Sequence, residues 1–158
     1  MEIKMNMNKK ILLINGPNLN LLGIREPDIY GNETLKEIER RIEEKSKKMG
    51  FNLECCQFNS EGKIIDKIQE AYIEKKDYII INPGGYTHYS VAIRDAITSV
   101  GIETIEVHLS DISKREDFRK ISLISDVAIK TIMGHGSLGY DLALEFIQEK
   151  IEKKQEKK

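Results

Sequence analysis

Five short apolar or β-branched runs recur along the chain, each leading through a turn into a segment of helical periodicity. They occupy residues 10–15 (KILLIN), 51–58, 78–82 (YIIIN), 103–108 (ETIEVH) and 126–133 (DVAIKTIM). Unbroken apolar runs such as KILLIN and YIIIN read as strands buried on both faces. After the first run, Thr34-Leu35-Lys36-Glu37 forms a capping box. It opens a helix whose stripe is Leu35, Ile38, Ile42 and Met49 and whose stop is Gly50. Ile64, Ile65, Ile68, Ala71 and Tyr72 give the second helix its inward face. A third helix spans about 90–100 and ends at Gly101, and a second capping box, Ser113-Lys114-Arg115-Glu116, predicts a short fourth. The last covers about 137–154.

Five strands alternating with five helices predict an α/β fold, a parallel sheet covered on both faces. Right-handed crossovers and a length of 158 residues favour a flavodoxin-like three-layer sandwich with strand order 2-1-3-4-5. That length suits a single domain over residues 1–158, with 1–9 as an extension and 152–158 as a charged, frayed tail. The chain is 40% hydrophobic, too apolar for wholesale disorder, yet no stretch reaches the roughly 20 apolar residues of a membrane span. The opening MEIKMNMNKK lacks the apolar core of a secretory signal. Lys and Arg total 25 against 26 Asp and Glu, so nothing marks a nucleic-acid binder. Adjacent Cys55 and Cys56 have no metal-ligand spacing and read as strand thiols of a cytoplasmic protein.

In a sheet of this order, ligands bind beyond the carboxyl ends of the strands where the winding reverses, between strands one and three. The unusual residues lie there. Strand one is followed by a loop of about 17 residues, Asn15 to Gly31, where about 2–6 is usual. Strand three is followed by Asn82-Pro83-Gly84-Gly85-Tyr86-Thr87-His88, and strand four ends in His108-Leu109-Ser110. The chain has 19 Lys and only 6 Arg, yet Arg25, Arg115 and Arg119 fall in or near these loops. Arginine's planar fork suits a carboxylate or oxyanion held in fixed geometry, although a helix-surface role would also account for Arg115. Tyr30 has two readings as well. It is either an amphipathic gap-filler or, five residues from Arg25, a phenol whose ionised form a guanidinium favours.

Gly134-His135-Gly136-Ser137-Leu138-Gly139 fits the dinucleotide fingerprint, but no further strand follows to carry the acidic ribose ligand. A tight strand-to-helix turn is the better reading. No phosphate-binding P-loop or zinc-protease helix motif occurs, which favours chemistry without cofactor or metal.

Four blocks together resemble type II 3-dehydroquinate dehydratases. They are Ile14-Asn15-Gly16-Pro17-Asn18-Leu19-Asn20 with Leu22 to Gly31; Asn82 to His88 with Ser90 to Ala96; Glu106 to Ser110 with Arg115 to Arg119; and Gly139-Tyr140 with Leu142 to Leu144. Their order and spacing match over roughly residues 10–151. The resemblance implies loss of water from 3-dehydroquinate to give 3-dehydroshikimate, in the shikimate pathway or in quinate breakdown, without cofactor or metal, in a dodecamer of four trimers. By motif position, Tyr30 would remove the C2 proton, Arg25 would stabilise the tyrosinate, and His108, backed by Glu106, would protonate the departing C1 hydroxyl. Asn18 would hold a water near the enolate oxygen. Substrate contacts would be Asn82, His88, Arg119, Leu109 and Ser110, with Asp95 reaching the site from a neighbouring subunit.

Ser113-Lys114, Ile121 and His135 depart from the family's common pattern. None falls on an implied catalytic position, so altered surface or packing is expected there. The competing class is a flavodoxin-like module that binds a nucleotide or flavin at the same strand mouth and forms no enone.

Overall fold

The computed structural model describes residues 9–24, 28 and 31–157. Strands β1 (Lys9–Asn15), β2 (Phe51–Gln57), β3 (Tyr78–Asn82), β4 (Glu103–His108) and β5 (Lys130–Met133) form one parallel sheet. Its order is β2-β1-β3-β4-β5, as the sequence predicts. Four α-helices lie among the described residues: α1 (Leu35–Lys48), α2 (Glu61–Ile73), α3 (Val91–Val100) and α4 (Leu138–Glu156).

Side chains alternate across each strand, so the sheet feeds two apolar layers. Ile11, Leu13, Ile80, Ile105 and Val107 meet Ile38 and Ile42 of α1 and Tyr140, Leu144 and Ile147 of α4. Leu12, Ile14, Ile79 and Ile81 face the other way, onto Ile64 and Ile68 of α2 and Ile93 and Ile97 of α3. Most of these side chains are wholly buried. Each contributes on the order of 1.5–3 kcal/mol by leaving water. Thr34, Ser60 and Ser90 cap α1, α2 and α3 by accepting from Glu37, Lys63 and Ile93 N–H. Tyr72, expected on the inward face of α2, is exposed, because the small Ala71 takes the buried position in the last turn.

The expected fourth helix does not form. Residues Ile112–Lys114 and Asp117–Arg119 make single 3₁₀ turns instead. The Ser113 hydroxyl donates back to Asp111 at 2.5 Å, and the Glu116 carboxylate accepts from Arg119 Nε at 3.0 Å. Both arms of the supposed capping box are therefore engaged elsewhere. β5 also begins later than expected: Val127 and Ala128 N–H both turn back to Ile124 O, and Asp126 pairs with Arg94.

The glycine motif after β5 makes the expected tight turn, with Gly134 and Gly136 at φ 84° and 58°. Cys55 and Cys56 are unpaired thiols in β2, and burial pushes both up, Cys56 to about 12. No helix among the described residues is long and apolar enough to cross a membrane.

At the reversal point, β1 and β3 are neighbours while their crossovers leave to opposite faces of the sheet. The two exits are held together by Gly16 N–H donating to Asn82 O at 2.8 Å. A Cβ on Gly16 would lie 2.6 Å from Pro83 O, inside any permitted contact. Gly16→Ala is therefore expected to lower stability by about 1–3 kcal/mol, as overpacking does. Urea unfolding measures this, and an unchanged midpoint would contradict the close approach.

Candidate active site

Glu106 and His108 are two residues apart on β4 and so share one face of the sheet. Both are buried. His108 stands at the end of the strand and lines a cavity of about 210 Å³, with Glu106 behind it. Pro17, Asn18 and Leu19 from the β1 exit, Asn82, Gly84, Gly85 and His88 from the β3 exit, and Leu109, Ser110 and Ile112 after β4 form the rest of the lining together with Arg115 and Arg119. The cavity thus occupies the predicted crevice. Among the described residues no carboxylate lines it, whereas two guanidinium groups do. Such a mouth attracts a small anion.

A wholly buried carboxylate needs donors. Glu106 Oε2 lies 2.5 Å from His108 Nε2 and accepts from Ser122 at 2.5 Å and Thr87 at 2.8 Å. Its Oε1 accepts from Ser125 at 2.6 Å and Thr131 at 3.0 Å. Burial alone would raise this carboxyl, but the hydrogen bond and charge of His108, with the Ser122 and Ser125 hydroxyls, outweigh it and hold it at about 2. Nε2 is engaged with Glu106, so Nδ1 is the ring nitrogen His108 has left for a ligand.

Asn82 is fixed in orientation: its Nδ2 donates to Tyr140 Oη at 3.0 Å, and its Oδ1 accepts from Gly84 N–H at 3.2 Å. Tyr140 Oη donates to Asn15 Oδ1 at 2.5 Å. Burial pushes the Tyr140 hydroxyl well above the usual tyrosine range, so it stays neutral. His88 Nδ1 donates to Ile121 O at 2.8 Å. The Ile121 side chain is exposed, so the bond needs only that residue's carbonyl. Asn18 adopts φ 70°, with its N–H donating to Asn59 Oδ1 at 3.1 Å. Arg119 gives Nε to Glu116 and lies over the Phe118 ring, 5.0 Å from its centroid.

Of the residues that the sequence singles out, Asn18, Asn82, His88, His108, Leu109, Ser110 and Arg119 line one cavity. Asp95 does not join them; it sits on the exposed side of α3. Arg25 and Tyr30 lie outside the described residues. Thr87, Ser122, Ser125 and Thr131 have no role in the sequence-based reading, although Thr87 lies in the motif after strand three. A glutamate inside an apolar strand signals that donors must exist, but only the register pairing Glu106 with Thr131 and the folding of the 120s segment reveal which.

The depressed Glu106 carboxyl stabilises the fold at pH values above about 4.5, and that contribution is lost as pH falls towards 2. The wild-type protein should lose on the order of 3 kcal/mol to this group across that window. The Glu106→Gln variant should show a shallower acid limb in denaturant titrations at stepped pH. Equal slopes would contradict the assignment.

The family model described as dehydroquinase class II matches residues 9–148. The 3-dehydroquinate dehydratase of Caldicellulosiruptor bescii is 54% identical over 141 residues, which cover 89% of this chain and 97% of that protein. That of Prochlorococcus marinus is 56% identical over 136 residues, covering 86% and 91%. The crystal structure of type II dehydroquinase from Butyrivibrio crossotus superposes with a TM-score of 0.87 at 54% identity, covering 88% of this chain and 97% of that one. A matched family model over most of the chain, these identities and the superposed fold agree, and the chain belongs to the class II dehydroquinase family.

Proposed function

We infer that this chain carries out the reaction for which its relatives are named, the dehydration of 3-dehydroquinate to 3-dehydroshikimate in the shikimate pathway. It is accordingly a hydro-lyase. The observation that carries this reading is the cavity itself: a buried carboxylate–imidazole pair opening onto a small cationic pocket, in a chain of this family.

The hard step is loss of a C2 proton beside the C3 ketone, which places negative charge on the ketone oxygen. Tyr30, kept ionised by Arg25, is proposed as the base on its motif position, and such a base contributes about 10²–10⁴-fold. A water held by Asn18 would face the developing enolate. Fixed donors at such an oxygen are worth roughly 3–4 kcal/mol each when bulk water is excluded. The enolate then collapses: the C1–O bond breaks, the ring gains its double bond, and His108 gives a proton to the departing oxygen, which leaves as water. Glu106 orients the imidazole and balances its charge. Ser110, the Leu109 backbone and Arg119 are proposed to hold the carboxylate, and Asn82 and His88 the ring hydroxyls. No cofactor takes part in this scheme. The further proposals are cytoplasmic location and a dodecamer of four trimers, in which Asp95, placed away from its own cavity, reaches a neighbour's.

Adding 3-dehydroquinate should produce the ultraviolet absorbance of a conjugated enone. Tyr30→Phe should lower kcat by at least 10²-fold while the far-ultraviolet circular dichroism stays unchanged. Full activity in that variant would contradict the assigned base, and a co-purifying flavin or nucleotide with no enone formed would favour the binding-module reading.

A further inference from the structure

The donors around Glu106 exceed what an ordinary ion pair needs. An ionised carboxylate has about four lone-pair positions, and here two hydroxyls and an imidazole converge on Oε2 while two more hydroxyls occupy Oε1. The Thr87 and Ser122 hydroxyls also lie 2.6 Å apart, so either can give its one proton to the other instead of to Oε2, and the pair keeps at least one donor on that oxygen. The four hydroxyls come from separate places: the turn after β3, two points of the β4–β5 connection, and β5 itself. Stability alone gives no reason to keep Glu106 and its donors together, since a whole buried ionic cluster is commonly matched or bettered by packed apolar residues.

Their shared effect is on a proton. A carboxylate whose lone pairs already accept hydroxyl protons can take another only by displacing a donor. We propose that Thr87, Ser122, Ser125 and Thr131 are positioning residues for the dehydration, keeping Glu106 an acceptor so that the proton between it and His108 stays on His108 Nε2. This rests on the dehydratase reading. In the elimination the Nδ1–H bond of the imidazolium breaks as an O–H bond of the leaving water forms, and the electrons of the C1–O bond leave with that oxygen. The imidazole ends neutral with its remaining proton on Nε2. Without the hydroxyls, Glu106 takes the Nε2 proton, and His108 is left a neutral ring and a poor acid.

The chain has three histidines, so its imidazole ¹⁵N spectrum is simple to assign. The experiment compares the wild-type protein with Ser125→Ala/Thr131→Val, which strips Oε1 of its donors and leaves the Oε2 contacts of His108, Ser122 and Thr87 in place. His88, Arg115 and Arg119, which share the cavity with His108, are unchanged. In the variant the His108 Nε2 resonance should move from the protonated towards the unprotonated range. Its kcat should fall at least tenfold with KM changed less than twofold. Ser125→Thr and Thr131→Ser, which keep a hydroxyl at each place, should hold kcat within threefold of wild type. If the double variant does not fold, Thr131→Val alone is read in the same way, with a smaller loss of kcat.

An unmoved Nε2 resonance, or a raised KM with kcat intact, would overturn the proposal and reduce the cluster to a scaffold for the β4–β5 connection. Should the wild-type protein form no enone, the dehydratase reading fails separately. The imidazole spectrum needs no turnover and still decides where the proton lies.

Discussion

A charge with no access to water has to be neutralised inside the protein, and Glu106 is such a charge. Its position on β4 requires an imidazole two residues on, hydroxyls from the next strand and from the turn after β3, and a β4–β5 connection folded closely enough to supply two serines. The connection is fastened from outside as well. Arg94 of α3 donates to Leu123 O at 2.7 Å and pairs with Asp126, while Leu123 N–H donates to Thr87 O at 2.7 Å. Arg115 and Arg119 sit earlier in this same connection. The buried carboxylate therefore holds both the imidazole and the path of the chain that brings cations to the cavity.

The sheet supplies the rest of the geometry. Because the winding reverses between β1 and β3, their exits diverge and leave a crevice that β4 closes on its other side. Gly16 lets the β1 exit lie directly on Asn82 and Pro83. The Asn15–Tyr140–Asn82 chain of hydrogen bonds sets the amide at the crevice floor, and burial keeps Tyr140 neutral. Downstream of the long loop, Glu33 accepts from Arg41 and Ser137, both at 2.6 Å, tying the approach to α1 onto the start of α4. Strand ends and the loops that follow them, not helix surfaces, line the cavity.

Much of this was legible in the sequence because local and global signals agreed. KILLIN and YIIIN read as buried strands, and Thr34 and Ser90 stand where helices begin. The β4–β5 connection was misread because Ser113 to Glu116 carries a helix-start pattern whose side chains are claimed by Asp111 and Arg119, a competition that spacing does not disclose. The late start of β5 has the same origin, since Asp126 turns out to pair with Arg94, 32 residues away. The cavity residues were found through their loops and the family's motifs. The hydroxyls behind Glu106 were not, because Ser122, Ser125 and Thr131 resemble any other small polar residues until the fold brings them to one carboxylate.

The central claim is that His108, held by Glu106, faces the leaving oxygen across the cavity while the cationic side receives the carboxylate. A crystal structure with 3-dehydroshikimate or a close analogue bound tests it most directly. The account predicts Nδ1 of His108 within about 2.6–3.2 Å of the site of the departing C1 oxygen, with the ligand carboxylate on Ser110 and Arg119. A ligand seated the other way round, its carboxylate against His108 and its C1 edge towards the guanidinium groups, would contradict it.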